Sequence, residues 1–279
     1  MIPKFRPKIL DYIVIDGKKI GYIAGINLKP IDYEDEDTMR KYIESISKLK
    51  EEDCENIFSE EMEYLDEGIK KTIEMETSLS FSSGKSVRLY NLPMIIEDLG
   101  KRLNRDFRRA ELLLISQNRE EILDVIYSIS HIFNFISLIG IGKEEGEEVY
   151  STILDDIGIS IFQPINVEST LKNYDVIVNL EDKAIFDIKG IGRNTLVFDF
   201  SILKPFKILK KNVVIDDIKM YVQSLGTMNG FPIEQKISSS LYEGFFGEFK
   251  EEYCQISTRN DDYSIEEYIE QIIRIKGGF

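Results

Sequence analysis

The middle of this 279-residue chain most constrains its fold, because short apolar runs there alternate with segments patterned as helices. The runs are Leu112 to Ile115, Phe135 to Ile139, Ile159 to Phe162, Val176 to Leu180 and Leu196 to Phe200. They are predominantly apolar, with at most one polar residue in each, the pattern of strands buried on both faces of a parallel sheet. Between the first two runs Ile122, Val125, Ile126 and Ile129 recur at helical spacing. Between the next two, Val149, Ile153, Leu154 and Ile157 do the same. Parallel neighbours need a crossover, so this alternation predicts an α/β sheet with right-handed connections.

The flanks read differently. β-branched runs on either side of Asp16-Gly17 predict an opening hairpin, since both residues tolerate positive φ. From Asp35 to about Met75 two helical stripes follow, Met39, Tyr42, Ile43 and Ile46, then Met62, Leu65, Ile69 and Ile73. Ser78 to Tyr90 predicts a second hairpin around Ser83-Gly84. A third helix is expected after Asn91, with Pro93 in its first turn and Ile95, Ile96, Leu99 and Leu103 on one face. In the tail, Ile215, Ile218 and Val222, then Leu241, Phe245 and Phe249, predict mainly helices, the last one starting after Ser264. The expected organisation is an N-terminal α+β region at 1–110 with two hairpins plus helices, a sheet domain at 111–200, and a helical C-terminal region at 201–279 packing back on the rest.

Charge narrows the function classes. A net charge of −15 disfavours nucleic acid and anionic membranes, whose phosphates an acidic surface repels. Neither a signal-peptide core nor an apolar run of about 20 residues is present, which leads to the expectation of a cytoplasmic protein. Cys54 and Cys254 lack a CxxC partner, and His131 is the sole histidine, so no metal site is expected.

Leu171-Lys172-Asn173-Tyr174-Asp175-Val176-Ile177-Val178-Asn179-Leu180, followed by Leu196-Val197-Phe198-Asp199-Phe200, resembles the end of the NAD(P)-binding domain of shikimate dehydrogenase and glutamyl-tRNA reductase. The resemblance runs from Glu111 to Phe200 and implies a Rossmann-like, doubly wound parallel sheet, with NAD or NADP as the cofactor if the likeness extends to function. The departures are chemical. Where a dinucleotide site has glycines after the first strand, this chain has Ser116-Gln117-Asn118-Arg119-Glu120-Glu121, with two carboxylates in the first helical turn. Gly140-Ile141-Gly142 stands where the ribose-reading residue belongs.

These departures favour a binding or regulatory protein without a cofactor over an NAD(P)-dependent oxidoreductase, and no catalytic residue stands out. The crevice at the strand ends would draw on Ser116 to Arg119, Gly140 to Lys143, Asn179 to Asp182 and Gly190 to Arg193. Gly140, Gly142, Lys143 and Gly146 form a glycine-rich turn able to hold a small anion, and under the oxidoreductase reading the nicotinamide lies near Asn179, Gly190 and Gly192. The turn also reads as a plain strand-to-helix connection. Lys101, Arg102, Arg105, Arg108 and Arg109 make a basic stripe on the preceding helix, a candidate surface for an anion or a protein partner, or a solvated face paired with acidic neighbours. Ser82-Ser83-Gly84-Lys85-Ser86 matches only the end of a P-loop, and Lys204-Pro205-Phe206-Lys207, although like a stretch of shikimate dehydrogenases, falls on the wrong side of the sheet domain to inherit a role.

Overall fold

The structure, a computed structural model, describes residues 6–26, 35–59, 65, 67–247, 252–259 and 261–276. The chain divides into two compact units, Met1–Gly84 with Met220–Glu251, and Lys85–Lys219 with Glu252–Phe279.

The first unit begins with β1 (Lys8–Ile15), β2 (Lys18–Gly25), α1 (Glu36–Leu49), β3 (Asn56–Ile57), α2 (Glu67–Thr77) and β4 (Ser80–Phe81). Asp16 and Gly17 adopt φ of +49° and +76°, so the hairpin turns on two left-handed residues and pairs Ile15 with Lys18. A later strand, β11 (Leu225–Thr227), adds to the free edge of β1. Tyr42 and Ile46 of α1 pack with Leu65, Ile73 and Leu79. Met62, expected in the same stripe, lies outside the described residues.

The expected second hairpin is corrected. β4 has two residues and pairs in parallel with β3, and from Lys85 the chain is helical as α3 (Lys85–Leu103). Gly84, at φ +72°, makes the turn, and its amide donates to Glu243 Oε2. The apolar stripe of α3 starts at Val87 and continues through Leu92, Ile95, Ile96 and Leu99, so burial carries the helix across Pro93. Pro93 therefore sits inside the helix, where the missing N–H costs a hydrogen bond.

The second unit is built on β5 (Glu111–Ser116), α4 (Arg119–Ile129), β6 (Phe135–Gly140), α5 (Lys143–Ile157), β7 (Ile161–Phe162), β8 (Val176–Asn179), β9 (Leu196–Asp199) and β10 (Val214–Tyr221). Six strands run parallel in the order β7-β6-β5-β8-β9-β10, which is 3-2-1-4-5-6 counted from β5. This is the strand order of the doubly wound Rossmann fold. After β12 (Lys236–Ser238) and α6 (Ser239–Phe246) of the first unit, the chain adds β13 (Gln255–Thr258) antiparallel to β10, β14 (Asp262–Tyr263) beyond it, and α7 (Ile265–Lys276).

Side chains of a strand alternate between faces. Leu113, Ile115, Ile177, Val197 and Val214 share a core with Leu171, Ile188 and Phe206 from three 3-10 turns. That face is covered by short turns. The stripe Ile122, Val125, Ile126 and Ile129 of α4 is buried as predicted.

The tail also needs correction. The spacing of Ile215, Ile218 and Val222 predicts a helix, but residues 214–221 form β10. The helix after Ser264 does form. Ser264 Oγ accepts from Glu267 N and Glu267 Oε2 accepts from Ser264 N, a reciprocal cap.

Candidate functional site

The strand order reverses between β5 and β8, and a cleft of about 670 Å3 opens at their carboxyl ends. Its lining is Lys85, Gln117 to Glu121 and Leu180 to Asp182. Open α/β sheets bind ligands at such a reversal, because the loops on either side diverge to opposite faces and leave a crevice.

The hydrogen bonds of the β5–α4 turn decide what the cleft can hold. Gln117 N donates to Glu181 Oε1 at 2.6 Å. Asn118 N donates to Ser116 Oγ at 3.1 Å. Asn118 Oδ1, capping α4, accepts from Glu120 N at 2.9 Å and Glu121 N at 3.2 Å. Side chains of this chain thus take four amides of the turn, the groups that in a dinucleotide site face a pyrophosphate. Lys85 Nζ, at the start of α3, donates to Glu121 Oε2 at 2.7 Å and to the Leu180 carbonyl at 3.3 Å. Arg119 is exposed at the rim with no salt bridge among the described residues.

Beneath the cleft the polar groups are tied to one another. Asn179 is fully buried, and its Nδ2 donates to the Glu181 carbonyl and to Asp199 Oδ1, each at 2.8 Å. Asp199 also accepts from Ser201 Oγ at 2.6 Å and from Phe206 N at 2.8 Å. Lys204, buried and left-handed at φ +52°, donates from Nζ to the Asp199 and Asp216 carbonyls. Burial, reinforced by the Arg88 guanidinium, lowers the Lys204 ammonium to about 7 against the pull of Asp217, Asp199 and Asp216. Burial likewise raises the Asp216 carboxyl to about 6. Asp182 Oδ1 accepts from Ile202 N at 2.6 Å and Leu203 N at 2.9 Å, fixing the turn after β9.

The expected site residues are dispersed. Asn179 lies under the cleft as a structural donor. Gly140 ends β6 at φ +107°, and a Cβ there would meet the Ser116 carbonyl oxygen at 2.6 Å, so glycine is required by close strand approach. Gly142 caps α5 without a side-chain bond, and Lys143 is exposed 3.9 Å from Glu147. At Gly146 a Cβ would meet the side-chain amide of Gln163, which follows β7. Gly190 ends a 3-10 turn, and Gly192 gives its carbonyl to Asn212 Nδ2 at 2.9 Å. Neither these glycines nor Lys143 line the cleft.

The basic stripe is split as well. α3 ends at Leu103, which leaves Arg105 beyond it and Arg108 and Arg109 on a 3-10 turn. Lys101 pairs with Glu97, Arg102 with Glu266 and Arg105 with Asp175. His131 falls in the turn after α4 and bonds Glu97 at 2.9 Å. Among the described residues no group of three or more His, Cys, Asp or Glu side chains is placed to hold a metal ion, and no helix is long and apolar enough to cross a membrane.

Strand order and crevice define a Rossmann-like α/β protein with an additional antiparallel hairpin sheet near its N-terminus. Among solved structures, a dipicolinate synthase subunit from Bacillus halodurans is similar at 12% identity and a TM-score of 0.34, with 49% of this chain and 48% of that one covered. L-tryptophan dehydrogenase from Nostoc punctiforme is similar at 10% identity and a TM-score of 0.32, with 70% and 50% covered. The match thus spans about half the length of each of those chains. No protein-family model and no curated protein matches the sequence. At these values the fold assignment rests on the strand order itself.

Proposed function

We propose that this chain is a Rossmann-like binding protein that holds a small ligand in the crevice at the ends of β5 and β8 and does not hold a dinucleotide there. The observation that carries the reading is the closure of the β5–α4 turn by Glu181, Ser116 and Asn118. A pyrophosphate would have to displace an ionised carboxylate from Gln117 N–H, a charge-assisted bond about twice as strong as a neutral one. It would then sit beside Glu120 and Glu181, with Glu121 paired to Lys85 and Arg119 as the remaining cation of the lining. Like charges at 4 Å repel by about 1 kcal/mol in water and about 4 kcal/mol at a protein surface. NAD and NADP are therefore not fitted by these residues, and the oxidoreductase implied by the family resemblance gains no support from them.

The reading is tested by emptying the turn. Asn118→Gly, Glu120→Gln and Glu181→Gln together free two amides and remove two charges, while glycine keeps most of the cap preference. Calorimetry should show no binding of inorganic pyrophosphate to the natural chain and millimolar or tighter binding to the triple variant. Micromolar binding by the natural chain, no tighter in the variant, would show that the turn was never closed.

A further inference from the structure

We propose that Asn229 is a self-modification site, at which attack by the Gly230 amide nitrogen converts the asparagine to aspartate or isoaspartate and releases the turn after β11 from β1. Asn229-Gly230 is the one Asn-Gly step in the sequence. Both residues are exposed in the turn that follows Thr227, the last residue of β11. Gly230 lies at φ +83° with open space where a Cβ would stand, and its N–H donates no hydrogen bond among the described residues. The attacking nitrogen therefore meets no side chain of its own residue and gives up no bond.

The step is intramolecular, which raises the effective concentration of the reacting groups. Gly230 N forms a bond to Asn229 Cγ and loses its proton, the Cγ–Nδ2 bond breaks, and ammonia leaves with that proton. Water then opens the five-membered imide at one or other carbonyl, which gives aspartate or isoaspartate at 229. No oxidant or cofactor enters.

Asp11 on β1 determines what the change does. Its carboxylate is buried and accepts from Tyr12 N at 2.7 Å and from Asn229 N, Asn229 Nδ2 and Phe231 N, each at 3.0 Å. Against the cost of burial, these donors hold the Asp11 carboxyl below its ordinary value, so it is ionised. Thr227 Oγ1 closes the same turn on the Phe231 carbonyl at 2.7 Å, and Met228 N donates to the Tyr12 carbonyl at 3.0 Å. Conversion at 229 puts a second carboxylate where an N–H donor faced the first. A hydrogen bond is lost and like charges meet in a largely dry place. Isoaspartate further adds a methylene to the backbone between the two amides that Asp11 holds. The same contacts restrain Asn229 in the unmodified chain, so the reaction proceeds through local opening of the turn.

The test incubates the full chain at mildly alkaline pH and follows the peptide containing Asn229 by mass spectrometry. That peptide should gain the mass of one amide-to-acid exchange as a mixture of aspartate and isoaspartate, at least about tenfold faster in urea, where no opening is needed. Asn229→Gln, whose longer side chain would have to close a six-membered ring, should remove the gain. Asn229→Asp should make the Met228 and Phe231 amides exchange hydrogen about tenfold faster than in the natural chain, and Asn229→Ala, which loses the same bond without adding a charge, should do so less. No mass gain at Asn229, or a gain as aspartate alone, overturns the modification site. Exchange no faster in Asn229→Asp than in Asn229→Ala overturns the release of the turn by charge.

Discussion

Lys204 is a buried ammonium whose chemistry departs far from its free state. Its left-handed backbone and two carbonyl partners hold the ammonium inside, near Asp199, Asp216 and Asp217 on the strands, Arg88 on α3 and Lys207 on the adjoining 3-10 turn. Its folded pKa of about 7 lies below the ordinary 10.5, so between those values the unfolded chain binds the extra proton. Stability should rise with pH across that window, by at most about 1.4 kcal/mol per pH unit for one proton, and the gain is absent below about 7, where both states are protonated. Asp216 acts in the opposite sense. Its folded pKa of about 6 exceeds 3.8, so its contribution is present at low pH and fades as pH rises towards 6. Lys204→Met should flatten the rise above pH 7 in urea unfolding curves and keep the decline below pH 6. An unchanged upper slope would assign it to another group.

At the scale of elements, the cap of α4 does two things at once. Asn118 Oδ1 satisfies two amides that the first turn leaves open, and in doing so it removes them from any ligand. Asn118→Ala should cost about 1 kcal/mol of stability, and up to about 2 kcal/mol given two bonds, as read from thermal or urea unfolding. A neutral result would mean that the cap is not formed in solution. The strands β5, β8 and β9 were legible in the sequence because a strand covered on both faces must be almost wholly apolar, and these are buried along nearly their whole length. β10 was not, because the acidic pair Asp216 and Asp217 interrupts it, and with Asp216 buried the remaining Ile215, Ile218 and Val222 mimic a helical stripe. The start of α3 was hidden by its serines and Gly84, which read as a hairpin turn. In the site, the missing glycines and the two acidic residues at the start of α4 could be read directly. Glu181 as the partner of Gln117 could not, since the two lie 64 residues apart and meet only when β8 pairs beside β5. The only clue was the position of Glu181 and Asp182 just past a predicted strand end.

At the scale of the molecule, this chain has the 3-2-1-4-5-6 strand order and the crevice that the order creates, while the amides of the turn after β5 are taken by its own side chains. Fold and site are separable in this way because the sheet is specified by buried apolar runs, whereas ligand chemistry is set by a few side chains on the loops after the strands. If the closed first turn shuts out a dinucleotide, calorimetric titration of the full chain with NAD and with NADP should give no binding heat up to millimolar ligand. Micromolar binding of either one, abolished by a bulky replacement at Asn118, would show that the turn opens to a dinucleotide after all.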